Sequence, residues 1–168
     1  LLERAIRPGD QNSGATVFPG GLLDGADGAG AAWAEGVDDA AANARLAVAG
    51  GGLGYWMAAV RECFEEAGLL FARLPGQAGL VALDGHGDDA VAALRRRLHA
   101  GEITLAEVCA TLGARLALDE LSYYSHWITP VGMPKVFDTR FFVARAPAVQ
   151  IPRQDATETV ELRWLQPA

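Results

Sequence analysis

The sequence has no apolar run near the ~20 residues that a membrane-crossing helix needs, and no charged-then-apolar leader pattern opens it. Neither a membrane span nor a signal segment is expected, and a cytoplasmic-type chain follows. Cysteine is scarce: Cys63 and Cys109 are the only two, and Cys63 lies within an apolar helical stripe. That argues against a disulfide framework or a cysteine-based metal site. Positive charge is also short, with 14 Lys and Arg against 21 Asp and Glu and a net charge of −7. Nucleic acid and anionic membranes are gripped by clustered basic residues, so neither is an expected partner. No P-loop, G-x-S-x-G or C-x-x-C element is present. An acidic protein that handles an anionic substrate needs help, and divalent cations bridge carboxylates and phosphates that otherwise repel.

What is present suits one domain over residues 1–168, since 168 residues with 51% hydrophobic positions can bury roughly two thirds of their unfolded surface. The opening reads as strand, polar loop and a short strand at Ala15 to Phe18, closed by Pro19-Gly20-Gly21. From Gly25 to Gly54 the composition turns to Ala and Gly, and this segment reads as an insertion rather than core. Within it a helix is expected over Asp38 to Val48, ended by Gly50-Gly51-Gly52. Further helices are expected at Tyr55 to Leu70, Asp88 to Ala100 and Thr104 to Leu112. Tyr123 to Thr129, Val136 to Ala144 and Thr159 to Leu165 read as strands. Strands and helices mix without βαβ regularity, so the fold class is α+β.

The helix from Tyr55 carries the chemistry. At 100° per residue, Trp56, Met57, Val60, Cys63, Phe64 and Ala67 share one arc, and Glu62, Glu65 and Glu66 lie opposite. Without a cation, like charges at this spacing cost roughly 0.2–0.5 kcal/mol per pair. Arg61 can pair with Glu65 at i,i+4 but cannot neutralise three carboxylates, so a hard cation is the natural completion. Gly68 supplies the left-handed residue that stops the helix. Composition alone would make such a triplet a solvated acidic face; the neighbouring residues argue otherwise.

Arg61-Glu62-Cys63-Phe64-Glu65-Glu66-Ala67-Gly68-Leu69 resembles the second half of the Nudix box, R-E-U-x-E-E-x-G-U with U apolar, at every specified position. Gly21-Leu22-Leu23-Asp24-Gly25-Ala26-Asp27, preceded by Phe18-Pro19-Gly20, resembles the first half, with Asp27 in place of the usual Glu. Positions 28–60 put 33 residues where the family has a short turn, so the box is split by an insertion. With Phe137-Asp138-Thr139-Arg140-Phe141-Phe142 and Trp127-Ile128-Thr129-Pro130, this resembles the split-box subgroup that includes peroxisomal coenzyme A diphosphatases. Leu1-Leu2-Glu3-Arg4-Ala5 and Gly14-Ala15-Thr16-Val17-Phe18-Pro19-Gly20-Gly21 are similar to an upstream coenzyme A signature. The resemblance implies an α/β/α sandwich with a mixed sheet, a helical insertion in the box, and extra helices between the box and the later strands. Both termini are expected to be incomplete, because the chain starts at Leu1 and stops where the family begins another helix.

By the family pattern Glu62, Glu65 and Glu66 hold Mg²⁺ or Mn²⁺, with a backbone carbonyl from Gly20, and Glu62 is alternatively the base that readies water. Arg61 orients the glutamates. Glu158 is the candidate for an additional acid from a distant loop, and Asp27 has a capping or outer-shell task. Arg4, Phe18, Trp127 and Arg140 are the substrate-binding candidates, with Arg7 and Lys135 as further donors to an extra phosphate. Tyr123 and Tyr124 read as core or stacking residues, Arg95-Arg96-Arg97 as a solvated run, and His99 as lacking a ligand-spaced partner. The implied function is Mg²⁺-dependent hydrolysis of a diphosphate linkage in coenzyme A or acyl-coenzyme A. The alternatives are a dinucleotide or nucleotide-sugar pyrophosphatase, and a catalytically silent nucleotide-binding module. The expected partner is a small nucleotide-like substrate, with a homodimer left open.

Overall fold

The computed structural model describes residues 1–6, 13–83, 87–133, 135–155 and 159–166. Its strands are β1 (Leu2–Arg4), β2 (Thr16–Val17), β3 (Ala34–Glu35), β4 (Ala72–Arg73), β5 (Arg115–Ala117), β6 (Leu121–Ile128), β7 (Asp138–Ala144) and β8 (Thr159–Leu162). Its α-helices are α1 (Gly25–Ala29), α2 (Asp39–Leu46), α3 (Gly52–Ala67), α4 (Asp88–His99) and α5 (Leu105–Leu112). No helix among the described residues is long and apolar enough to cross a membrane.

The strands fall into three small sheets, ordered β2-β1-β8, β3-β5-β4 and β6-β7. The middle one is mixed, since β3 runs parallel to β5 and β4 antiparallel to it. A register shift between Glu3 and Arg4 bends β1 away from a continuous ladder with β8. The β6–β7 hairpin pairs Leu121 with Ala144 at one end and Ile128 with Asp138 at the other.

α3 is the axis of the packing. Trp56, Met57, Val60, Phe64 and Ala67 are buried, as the helical wheel predicts, while Cys63 is only half-buried. The Trp56 indole donates to the Leu121 carbonyl at 3.2 Å and meets Phe142 edge to face at 4.7 Å, which ties α3 to the hairpin. Burying such a ring is worth about 1.5–3 kcal/mol, so these contacts fix the azimuth of α3. The helix stops where expected, with Gly68 at φ 70° and its amide bonded to the Phe64 carbonyl.

The Gly25 to Gly54 segment is more than an insertion set apart from the core. Val37, Ala42, Leu46 and Leu53 are buried in the main apolar cluster, and β3 is a full member of the mixed sheet. Small side chains explain this, because α2 presents Ala42 to α3 so closely that a Cβ on Gly52 would lie 2.7 Å from the Ala42 carbonyl carbon. The same approach caps α3, which opens with Gly51 and has no capping side chain of its own. Asn43 Oδ1 accepts from the Gly52 amide at 2.6 Å, and Asp39 Oδ1 from Leu53 at 3.1 Å. The Leu53 amide and the Asn43 side chain hold the Asp39 carboxyl below its ordinary pKa. Its contribution is therefore present above the unfolded-state pKa and fades as pH falls through the lower folded value. Replacing Asn43 with Ala is expected to cost about 1 kcal/mol in urea or thermal unfolding, as for the loss of a helix cap.

Candidate active site

Glu62, Glu65 and Glu66 occupy the last two turns of α3 and line one cavity of about 410 Å³ together with Arg4, Gly20, Gly21 and His99. The acid face is not open to solvent, as the wheel alone would have it. Glu65 and Glu66 are buried, at 7% and 3% exposure, because the Gly20–Gly21 turn and α4 cover them. Carboxylates are rarely enclosed without a partner, so this burial marks the site out.

The two halves of the split box meet. The Gly20 amide donates to Glu66 Oε2 at 3.0 Å across 46 residues of chain. Bond lengths then hold the Gly20 carbonyl oxygen within about 7 Å of that carboxylate oxygen, inside water-bridged reach of a shared ion. Gly21 lies directly against Glu62, whose carboxylate would have to swing aside for an added Cβ, 2.3 Å from Oε1. The turn and the box helix are thus in contact at two adjacent residues.

Arg61 joins both halves. Its Nε donates to Asp27 Oδ1 at 2.9 Å and its Nη2 to Asp27 Oδ2 at 3.1 Å and to the Leu22 carbonyl at 2.8 Å. Its Nη1 faces Glu62 Oε1 at 2.7 Å and Glu65 Oε1 at 3.4 Å. Burial disfavours the guanidinium charge, but hydrogen bonding to Asp27 and the adjacent Glu62 outweigh it and hold its pKa above the ordinary value. Asp27 is itself fixed: it is buried, and its Oδ2 accepts from the Asp24 amide at 2.8 Å in a capping box that opens α1. The shorter acid therefore anchors Arg61 and caps a helix. The Asp24-x-x-Asp27 spacing is the sequence signal for α1, which periodicity misses because the helix is only five residues long.

Burial raises the Glu65 carboxyl above its ordinary pKa; Arg61 opposes this, and the Glu62 carboxylate adds to it. A cation would favour the charged form. The donor set is all oxygen and suits Mg²⁺ or Mn²⁺. Among the described residues, no three His, Cys, Asp or Glu side chains stand close enough to cage a metal unaided. Cys63 offers no competing thiolate, since burial, with help from Glu66, pushes its thiol up to about 12.

The other candidates divide. Arg4 lines the cavity. Phe18, Trp127 and Arg140 do not: Phe18 sits edge to face on Phe141, Trp127 is exposed on β6, and Arg140 pairs with Asp138 at 2.7 Å over the Tyr55 ring. Lys135 lies just before β7, and Tyr123 packs on Phe142 while Tyr124 is exposed. Arg7 and Glu158 lie outside the described residues. Arg95 corrects the reading of its run as solvated. Arg96 and Arg97 are exposed, but Arg95 turns inward and its Nε donates to the Glu65 carbonyl at 2.7 Å. His99, which has no ligand-spaced partner in the sequence, stands with its Nδ1 3.7 Å from Glu65 Oε2 in the fold.

A family model described as the NUDT19 Nudix domain matches residues 47–168. The chain belongs to the Nudix family. Human acyl-coenzyme A diphosphatase NUDT19 is 34% identical to this Nudix chain over 118 residues, covering 66% of the chain and 31% of that protein. A NUDIX hydrolase crystal structure from Alicyclobacillus acidocaldarius superimposes with a TM-score of 0.67 at 23% identity, covering 94% of this chain and 66% of that one. The latter likeness is one of fold, a mixed α+β Nudix arrangement. This chain spans under a third of the human relative and about two thirds of the bacterial one. The family match takes in Arg61 to Leu69 but not Gly20 to Asp27, so the first half-box is carried by its contacts with α3.

Proposed function

We propose that this Nudix domain hydrolyses the diphosphate linkage of coenzyme A or an acyl-coenzyme A with Mg²⁺ or Mn²⁺. The observation that carries the reading is the closure of the split box, with Glu62, Glu65, Glu66 and the Gly20–Gly21 turn around one cavity. When bound, the ion activates water and neutralises charge on the leaving phosphate. Glu65 and Glu66 are the residues that would hold it, with Glu62 as a third ligand or as the base for water, and Gly20 as a backbone ligand. Arg61 sets the Glu62 and Glu65 carboxylates and stays out of the chemistry, because Asp27 and Leu22 occupy the rest of its fork. Arg4, the arginine among the described residues that line the cavity, would hold a substrate phosphate. The coenzyme A assignment draws on the human relative's stated activity and on the partial upstream signature around Arg4 and Phe18.

The test is a product assay at fixed free Mg²⁺ over coenzyme A, dephospho-coenzyme A, NADH, ADP-ribose and nucleotide sugars. Coenzyme A should give 3′,5′-ADP and a 4′-phosphopantetheine species. Its kcat/KM should exceed that of the dephospho form by about ten- to a hundredfold, the worth of one charge-assisted contact to the 3′-phosphate. Equal values, or a preference for ADP-ribose, would defeat the coenzyme A assignment and leave the diphosphatase chemistry standing. No metal-dependent product from any of the substrates would defeat both.

A further inference from the structure

The box motif accounts for one side of Glu65, and α4 accounts for the other. Arg61 faces Glu65 Oε1, whereas His99 Nδ1 faces Oε2 at 3.7 Å from the opposite wall of the cavity. Arg95, one helical turn before His99, fastens the Glu65 main chain by donating to its carbonyl at 2.7 Å. Leu94 and Leu98, buried on the same helix, hold α4 against the core so that Arg95 and His99, at i and i+4, point at one residue. The imidazole is a third exposed and lines the cavity, so it is not there to fill the core.

We infer that α4 is part of the active site and that His99 is a positioning residue, setting the carboxylate of Glu65 for the cation while Arg95 sets its backbone. This rests on the reading of Glu65 as a metal ligand. A separation of 3.7 Å is longer than a hydrogen bond, so the imidazole acts by its bulk, blocking rotation of the carboxylate away from the cavity. Hydrogen-bonded partners of metal ligands change metal affinity by about ten- to a hundredfold when removed, and a packing contact such as this is expected at the lower end.

The experiment measures Mn²⁺ binding by paramagnetic resonance of the free ion for wild type, His99→Ala, His99→Asn and Glu65→Gln, with steady-state kinetics alongside. His99→Ala should weaken Mn²⁺ binding by about tenfold. Its kcat should fall at subsaturating metal, while KM for the nucleotide at saturating metal stays the same. Metal-free melting should match wild type, which separates positioning from folding. His99→Asn keeps an amide where Nδ1 stood and should recover most of the lost affinity. Unchanged Mn²⁺ affinity in His99→Ala, a loss confined to nucleotide KM, or Asn no better than Ala would each overturn the inference. If Glu65→Gln also binds Mn²⁺ like wild type, the metal-ligand reading itself fails; if only the His99 variants do, the failure is confined to His99.

Discussion

Glu65→Gln should lower kcat by on the order of a hundred- to a thousandfold, the several kcal/mol that a well-held cation contributes at a developing phosphate charge. Stability should move the other way. The amide keeps the shape of the side chain but removes a buried charge that Glu62 repels and that desolvation penalises, as the raised Glu65 pKa records. Metal-free melting temperature should therefore be equal to or above that of wild type. Both quantities are read on one preparation by thermal unfolding in chelator and by a metal titration of rate. Near-normal turnover at subsaturating Mg²⁺ would remove Glu65 from the ligand set. A drop in turnover matched by unfolding would mean that the residue is structural.

Asp27→Asn should have the largest effect on folding. Arg61 is mostly enclosed, with 14% of its side chain exposed, and Asp27 is the carboxylate that takes two of its donors. Breaking such a pair from one side leaves a buried charge short of a partner, which typically costs about 3–5 kcal/mol. Glu62 and Glu65 remain as partial substitutes, so the lower end of that range, about 3 kcal/mol, is expected in denaturant unfolding. Arg61 would then be drawn toward the two glutamates, and turnover should fall about tenfold in the fraction that stays folded. A loss under about 1 kcal/mol would show that Asp27 is dispensable to Arg61.

The sequence made α3 legible because two signals coincide there: the 3.6-residue apolar period and the half-box. It made α2 and α5 legible through their caps, with Asp38 and Thr104 accepting from Ala41 and Glu107 as the N-cap pattern requires, whereas α4, whose N-cap Gly87 makes no side-chain bond, is legible only by its apolar spacing. It hid what depends on tertiary contact. The Arg95 and His99 contacts with Glu65 span about thirty residues, and no local pattern distinguishes Arg95 from Arg96 and Arg97. Only the docking of Leu94 and Leu98 decides which of the three faces α3. The Ala- and Gly-rich segment was equally silent, because its value lies in closeness of approach at Gly52 and Ala42, which small side chains permit without announcing. Position 21 belongs to the same class: the motif names the glycine, and its closeness to the Glu62 carboxylate appears only in the fold.

The borrowed caps on α3 have a bearing on how such a box can be interrupted at all. Closing a longer loop costs little, about 0.6 kcal/mol for each doubling of its length. The part of the excursion that precedes α3 returns an amount of the same order by placing Asp39 and Asn43 on the buried first-turn amides of Gly52 and Leu53, which have no partner within the helix. Lengthening the tips of this segment would be nearly neutral. Excising it to restore a contiguous motif would remove the first turns of α3 along with their acceptors on Asp39 and Asn43 and the apolar face that α2 lays against the helix. The interruption has thus become a condition of the helix it interrupts, and sequence tolerance should be highest at its turns and lowest at Asp39, Ala42 and Asn43.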